Sequence, residues 1–174
     1  MPNAVADIIA EIHTAFPAKT DAAFAPLVNS EQGDEPALIA LAFADKLDWT
    51  ELDPEWLDSV PQGLATALSF LSDTAICFYI AAYMVADLNG ALRSAEPIYH
   101  LTHGFTKFSI DRRIWPRSAE TWTDYSRARW SHLTQAQAAA IVHYLEWHAV
   151  NDGTWSDGAK QALSAFWYDR ASIG

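Results

Sequence analysis

The feature that most constrains the fold is a run of thirteen residues without a charge, residues 74–86. A helix that spans a bilayer needs about 20 apolar residues, so this run is too short to cross a membrane. Because the run is apolar almost all round, other elements must cover nearly every face of it. Ser72 can cap its start, and Asn89 followed by Gly90 can end it. The sequence therefore predicts a buried central helix.

Apolar residues recur at helical spacing in several other segments of the chain. A capping-box pattern, Thr134 with Gln137 three residues later, marks the start of one of them. Asp53 before Pro54 predicts one or two short helical turns, because aspartate caps helices and proline is tolerated in a first turn. The predicted longer helices cover residues 5–16, 35–46, 64–71, 135–149 and 157–170.

Residues 91–117 show no clear helical period and are interrupted by glycine and proline. A strand over 105–110, as part of one short two-stranded element, or an ordered loop fits this segment equally well. With no internal repeat or low-complexity linker, the length fits one domain. We predict a mainly α, compact single domain over residues 1–174, with about six to seven helices around the central apolar helix.

The charge is strongly negative and unevenly spread. Eleven Lys and Arg stand against twenty-two Asp and Glu, a formal charge of −11. Residues 1–60 contain twelve acids and two bases, whereas residues 107–129 contain six bases and three acids. A net negative charge opposes the approach of phosphate backbones and anionic lipid headgroups. We therefore expect neither a nucleic acid nor a membrane as partner, and the sequence leaves the oligomeric state open.

The N-terminus and the cysteine content favour the cytoplasm. A secretory signal needs a basic start and an apolar stretch of about 7 to 15 residues, and Asp7 and Glu11 interrupt the first apolar residues here. Cys77 is the single cysteine, which excludes an intrachain disulfide and a cysteine-cluster zinc site. We expect a cytoplasmic protein.

No motif predicts a cofactor, a metal or a catalytic group. His143 and His148 are five residues apart, whereas two zinc ligands on one helix face need a spacing of four. His100 and His103 have no third ligand in their neighbourhood. The glycines are scattered, and the chain has neither a nucleophile elbow nor a phosphate-binding loop.

Several segments carry a family resemblance: GDEP, LDW, LSFLSDTAICFYIAAYM and SHLTQAQAAAIVHYLEW. In this order they resemble an uncharacterised bacterial family known only as a domain of unknown function. One departure is Ala81, because that family often has proline between the two tyrosines of this aromatic segment. The resemblance implies a shared fold and no activity.

The most suggestive segment for function is residues 45–58, DKLDWTELDPEWLD, in which six acids surround two tryptophans. Tryptophan supplies contact area in protein interfaces, and acids steer a basic partner toward them. The leading hypothesis is a non-enzymatic, cytosolic, immunity-type protein that binds a basic protein here. A solvated acidic loop with its tryptophans turned inward is the competing interpretation. The predicted contact residues are Asp45, Asp48, Trp49, Glu51, Asp53, Glu55, Trp56 and Asp58.

An enzyme or a small-ligand-binding protein is the alternative hypothesis. Tyr79 and Tyr83 are four residues apart on the central helix and lie on one face of it. With His100 and His103, they would line a pocket between this helix and the 91–117 loop. Burial of both tyrosines in the core explains the same pattern.

Overall fold

The computed structural model describes residues 4–172 and is mainly helical, which confirms the predicted fold class. The described part of the chain contains no β-strand, only isolated bridges. The α-helices are α1 (Val5–Ala15), α2 (Asp34–Phe43), α3 (Pro54–Leu57), α4 (Ala67–Phe70), α5 (Asp73–Leu88), α6 (Pro97–Thr102), α7 (Trp122–Trp130), α8 (Gln135–Asn151), α9 (Ser156–Ala162) and α10 (Tyr168–Ser172).

The chain divides into two compact units. The acidic unit is Phe16–Pro97, and the terminal unit consists of the residues through Ala15 together with those from Ile98 onward. Thirteen acids and three bases give the acidic unit a formal charge of −10, whereas nine acids and eight bases leave the terminal unit at −1. The single domain predicted for 1–174 stays a prediction, and residues 1–3 and 173–174 lie outside the described part.

In the acidic unit, α5 is the predicted buried central helix. The Ser72 hydroxyl accepts a hydrogen bond from the Ala75 amide at 3.3 Å and caps its start. Gly90 follows its end with φ at 67°, a left-handed conformation that glycine adopts without strain. Ile76 and Ile80 are fully buried. Among the described residues, no helix combines the length and the apolar character that a bilayer crossing requires.

In the terminal unit, α8 packs against α1, α9 and α10. The Glu11 carboxylate of α1 lies 2.6 Å from Nδ1 of His143 on α8. The predicted capping box is present: Thr134 Oγ1 accepts from the Gln137 amide, and the Gln137 side chain accepts from the Thr134 amide. A π-helical segment, Leu163–Trp167, connects α9 to α10.

Two local expectations need correction. Of the strand and the ordered loop left open for residues 105–110, the strand is not found: these residues form turns, because Gly104 turns the chain at φ 92° and its amide donates to Ser109 Oγ at 2.8 Å. The helix predicted over 64–71 covers only Ala67–Phe70, and Leu64 is 55% exposed. Leu64 fits the apolar spacing of a helix, but in the structure it lies on the surface before the helix begins.

Two helices were not predicted from the sequence. The first, α6, is only six residues long. The second, α7, buries Thr123, Ser126 and Arg129 beside Trp130. Because three of those four buried side chains are polar, this helix lacks the apolar stripe by which helices are recognised in a sequence.

Candidate functional site

The predicted acidic segment forms the wall of a groove of about 440 Å³ in the acidic unit. We call this the acidic groove. Four carboxylates, one lysine, two leucines and one tryptophan line it. They are Asp45, Lys46, Leu47, Asp48, Glu51, Leu52, Asp53 and Trp56.

The two tryptophans of the segment have different environments. Trp49 is 2% exposed, and its indole N–H donates to the Pro17 carbonyl at 2.8 Å. The role of an exposed anchor, which the sequence hypothesis gave to both tryptophans, therefore does not fit Trp49. Trp56 is half-buried, packs on Phe43 with ring centroids 5.0 Å apart, and lines the acidic groove.

Two of the carboxylates, those of Asp48 and Asp53, accept hydrogen bonds from backbone amides in the wall of the groove. Asp48 accepts hydrogen bonds from the Thr50 hydroxyl at 2.6 Å and the Thr50 amide at 2.9 Å. The Thr50 hydroxyl is the main cause that holds the pKa of Asp48 below its ordinary value. Asp53 caps α3 by accepting from the amides of Glu55 and Trp56 at 2.8 and 3.2 Å. Both aspartates thus position the groove wall.

A cation of the chain itself already sits at the groove. The Lys46 ammonium lies 2.6 Å from Asp45 Oδ1 and 5.5 Å from the centroid of the Trp56 ring. This hydrogen bond from Lys46 lowers the pKa of Asp45. The arrangement is a carboxylate and an aromatic face holding one positive charge. Sequence reasoning missed Lys46 as part of the site, although its place beside Asp45 was a usable signal.

The remaining predicted residues, Glu51, Glu55 and Asp58, differ in whether other groups of the protein already bind their carboxylates. Glu51 is exposed, and its side chain makes no hydrogen bond or ion pair within residues 4–172. Glu55 and Asp58 line a neighbouring groove of about 410 Å³, together with Arg93. Asp58 is tied to backbone amides near Arg93, so its role is structural.

Tyr79 and Tyr83 belong to the acidic unit and are buried there. The Tyr79 hydroxyl donates to the Lys46 carbonyl at 2.6 Å, and its ring lies 4.7 Å from that of Phe43. Burial raises the pKa of Tyr79 to about 12. Burial also raises the pKa of Tyr83, whose hydroxyl has no hydrogen-bond partner in the described part of the chain. The hydrogen bond of the Tyr79 hydroxyl thus fixes the backbone at Lys46.

His100 and His103 belong to the terminal unit. Their rings flank Tyr99, with centroids 5.2 and 5.1 Å from its ring, and His103 also contacts Trp122 at 4.7 Å. Burial, followed by the charges of Arg129 and His103, lowers the pKa of His100 to about 3. Burial also lowers the pKa of His103. Both imidazoles are therefore neutral near pH 7.

The pocket of the alternative hypothesis combines side chains of the two units and stays a prediction.

Within residues 4–172, no three His, Cys, Asp or Glu side chains meet in a geometry that would hold a metal ion.

A family model matches residues 5–171, nearly the whole chain. The chain belongs to DUF6714, a family of unknown function. The resemblance predicted from the GDEP, LDW, LSFLSDTAICFYIAAYM and SHLTQAQAAAIVHYLEW segments is thereby confirmed. No protein of curated function and no solved structure matches the chain. Membership of DUF6714 therefore assigns no activity to the chain.

Proposed function

We propose that this protein is a non-enzymatic, cytoplasmic binding protein that holds an arginine or lysine side chain of a basic partner protein in the acidic groove. The observation that supports this most is the placement of Asp45, Glu51 and Trp56 on one groove of the most negatively charged unit. Neutralisation of a basic toxin, an immunity role, is one function of this type.

The internal lysine indicates how such a side chain would bind. Lys46 already combines a carboxylate contact with Asp45 and a cation–π contact with Trp56. An arginine is better suited to this geometry, because its planar guanidinium stacks on indole and bonds a carboxylate with two N–H groups. An incoming arginine would displace the Lys46 ammonium from Trp56 and add a contact to Glu51, whose side chain is exposed.

The surrounding charge would act on the rate of encounter. A charge of −10 on the acidic unit raises the local concentration of basic partners, and salt weakens this effect. The half-buried Trp56 would contribute specificity, because an aromatic anchor in a groove binds more strongly than exposed charge pairs alone. Trp49 would take no direct part, since it is buried.

The test compares two double variants with the same change in net charge. Asp45→Lys with Glu51→Lys changes the groove, whereas Asp21→Lys with Glu31→Lys changes exposed acids elsewhere in the acidic unit. With an oligoarginine peptide as probe, calorimetry should show about tenfold weaker binding for the groove variant and less than about threefold for the control. Circular dichroism of both variants checks that the fold is kept.

Nuclear magnetic resonance locates the binding. The indole N–H resonance of Trp56 should shift as the peptide is added, and that of buried Trp49 should shift less. Equal weakening in the two double variants would reduce the binding to general attraction by net charge, and the proposal would be abandoned.

A further inference from the structure

A second groove, of about 620 Å³, lies within the terminal unit. Its floor is apolar and includes Phe105, Ile110 and Ala165, and its rim carries Lys107 and Lys160. None of its lining residues is acidic. We call it the lysine groove. It is a shallow surface groove, widely open to solvent, and the binding function proposed for the acidic groove makes no use of it.

The floor is held rigidly. Phe105 is 1% exposed and stacks on Phe166, with ring centroids 4.5 Å apart and planes inclined by 8°. The backbone amide of Lys107 donates to Gln161 Oε1 at 2.7 Å. This hydrogen bond joins the turn after α6 to α9. Because its oxygen is engaged in this way, the amide group of Gln161 keeps its N–H donors available at the rim.

The groove coincides with an irregular helical turn. Ser164 and Ala165 line it and belong to the π-helical segment Leu163–Trp167. The Ala165 carbonyl accepts a hydrogen bond from Arg127 Nη2 at 3.3 Å. Short π-helical segments inside α-helices are frequent at functional sites, where they shape the surface at some expense of helix stability.

The two lysines of the groove are not held in ion pairs. Neither Lys107 nor Lys160 forms an ion pair with any residue of 4–172. The Lys107 ammonium instead lies 5.0 Å from the centroid of the 70% exposed Phe108 ring. On a chain with a net charge of −11, two uncompensated lysines at one apolar groove single out a negatively charged ligand.

We propose that the lysine groove binds a small carboxylate with an unbranched apolar chain, of the medium-chain fatty-acid type. The chain lies against the exposed parts of Ile110 and Ala165, above the buried Phe105, and covering them contributes to the affinity. The carboxylate lies between the Lys107 and Lys160 ammonium groups and accepts from the Gln161 amide. The positive charge at the rim then gives carboxylates a higher affinity than neutral or cationic molecules with the same chain.

The experiment uses decanoate, decanol and decyltrimethylammonium as probes of equal chain length in calorimetric titrations of the whole protein. Decanoate should bind with a one-to-one stoichiometry, and replacing Lys107 and Lys160 with glutamine should weaken it about fivefold to tenfold. The matched control is Arg112→Gln, which removes an exposed charge of the same loop outside the groove. It should change the affinity by less than about twofold.

A second variant tests the apolar part of the groove. Ser164 is exposed, so Ser164→Trp fills the groove without disturbing the core and should reduce decanoate binding at least about tenfold. Amide resonances of Ser164 and Ala165 should shift on titration of the unaltered protein. Absence of decanoate binding, equal affinity for decyltrimethylammonium, or unchanged affinity in the double lysine variant would each overturn the proposal.

Discussion

At the scale of single residues, Asp58 shows how one carboxylate holds a loop in place. Its two oxygens accept hydrogen bonds from the backbone amides of Arg93, Ser94 and Ala95, at 3.0, 2.8 and 2.8 Å. Burial acts to raise the pKa of Asp58, but the three amides and the charge of Arg93 together outweigh it and hold this pKa below the ordinary 3.8. The folded protein therefore prefers the ionised carboxylate, and this preference stabilises the fold.

We predict that Asp58→Asn lowers the free energy of unfolding by about 1 to 2 kcal/mol at pH 7, because hydrogen bonds to a charged acceptor are replaced by weaker ones at a partly exposed site. The difference should be fully present above pH 3.8 and should disappear as the pH falls below that value through the folded-state pKa. Urea unfolding at several pH values measures it. Asp21→Asn, an exposed acid of the same unit, serves as control and should change stability by less than about 0.5 kcal/mol.

At the scale of elements, the start of α8 is fixed by a reciprocal pair of hydrogen bonds. Thr134 Oγ1 accepts from the Gln137 amide at 3.2 Å, and Gln137 Oε1 accepts from the Thr134 amide at 2.8 Å. Three other helices of the terminal unit, α1, α9 and α10, pack on α8, so loss of this cap weakens the element that supports them.

We predict that Thr134→Ala lowers the free energy of unfolding by about 1 kcal/mol, because a backbone N–H at the helix start loses its acceptor. Thr134→Ser keeps the hydroxyl and should stay within about 0.5 kcal/mol of the unaltered protein. Thr134 is exposed, so neither variant leaves a cavity in the core. Urea unfolding distinguishes them, and equal destabilisation by serine and alanine would contradict the capping explanation.

The elements that could be predicted are those whose signal is local. The central helix α5 follows from an uncharged run with a serine cap, and α8 follows from its capping box and apolar stripe. The helix α7 was missed although Thr121 with Asp124 forms a capping box at its start, because it buries Arg129 and Ser126 and so shows no apolar stripe after that signal. The π-helical segment Leu163–Trp167 had no signal either, since one widened turn barely alters the apolar spacing.

In the candidate sites, too, only the features with a local sequence signal could be predicted. The acidic composition of residues 45–58 was visible in the sequence, whereas the burial of Trp49 and the partial exposure of Trp56 depend on Pro17 and Phe43, distant along the chain. The lysine groove escaped prediction because Lys107 and Lys160 are 53 residues apart. Only the folded terminal unit brings them to one surface.

At the scale of the whole molecule, the dominant feature is the uneven charge. The acidic unit carries −10 and the terminal unit −1. Like charges held within one compact unit repel each other, and the repulsion weakens when salt screens it. The proposed attraction of a basic partner to the acidic groove has the same origin. Salt should therefore strengthen the fold of the free protein and weaken its binding to oligoarginine.

We predict that the free energy of unfolding in urea rises by about 0.5 to 1 kcal/mol between about 10 mM and about 300 mM sodium chloride, because screening reduces repulsion more in the folded than in the unfolded chain. Asp21→Asn with Glu31→Gln removes two exposed charges of the acidic unit and should reduce this rise. The matched pair Glu120→Gln with Asp169→Asn, exposed in the terminal unit, should leave it unchanged. A fall in stability with added salt would instead show that attractive pairs such as Lys46 with Asp45 dominate the electrostatics of this protein.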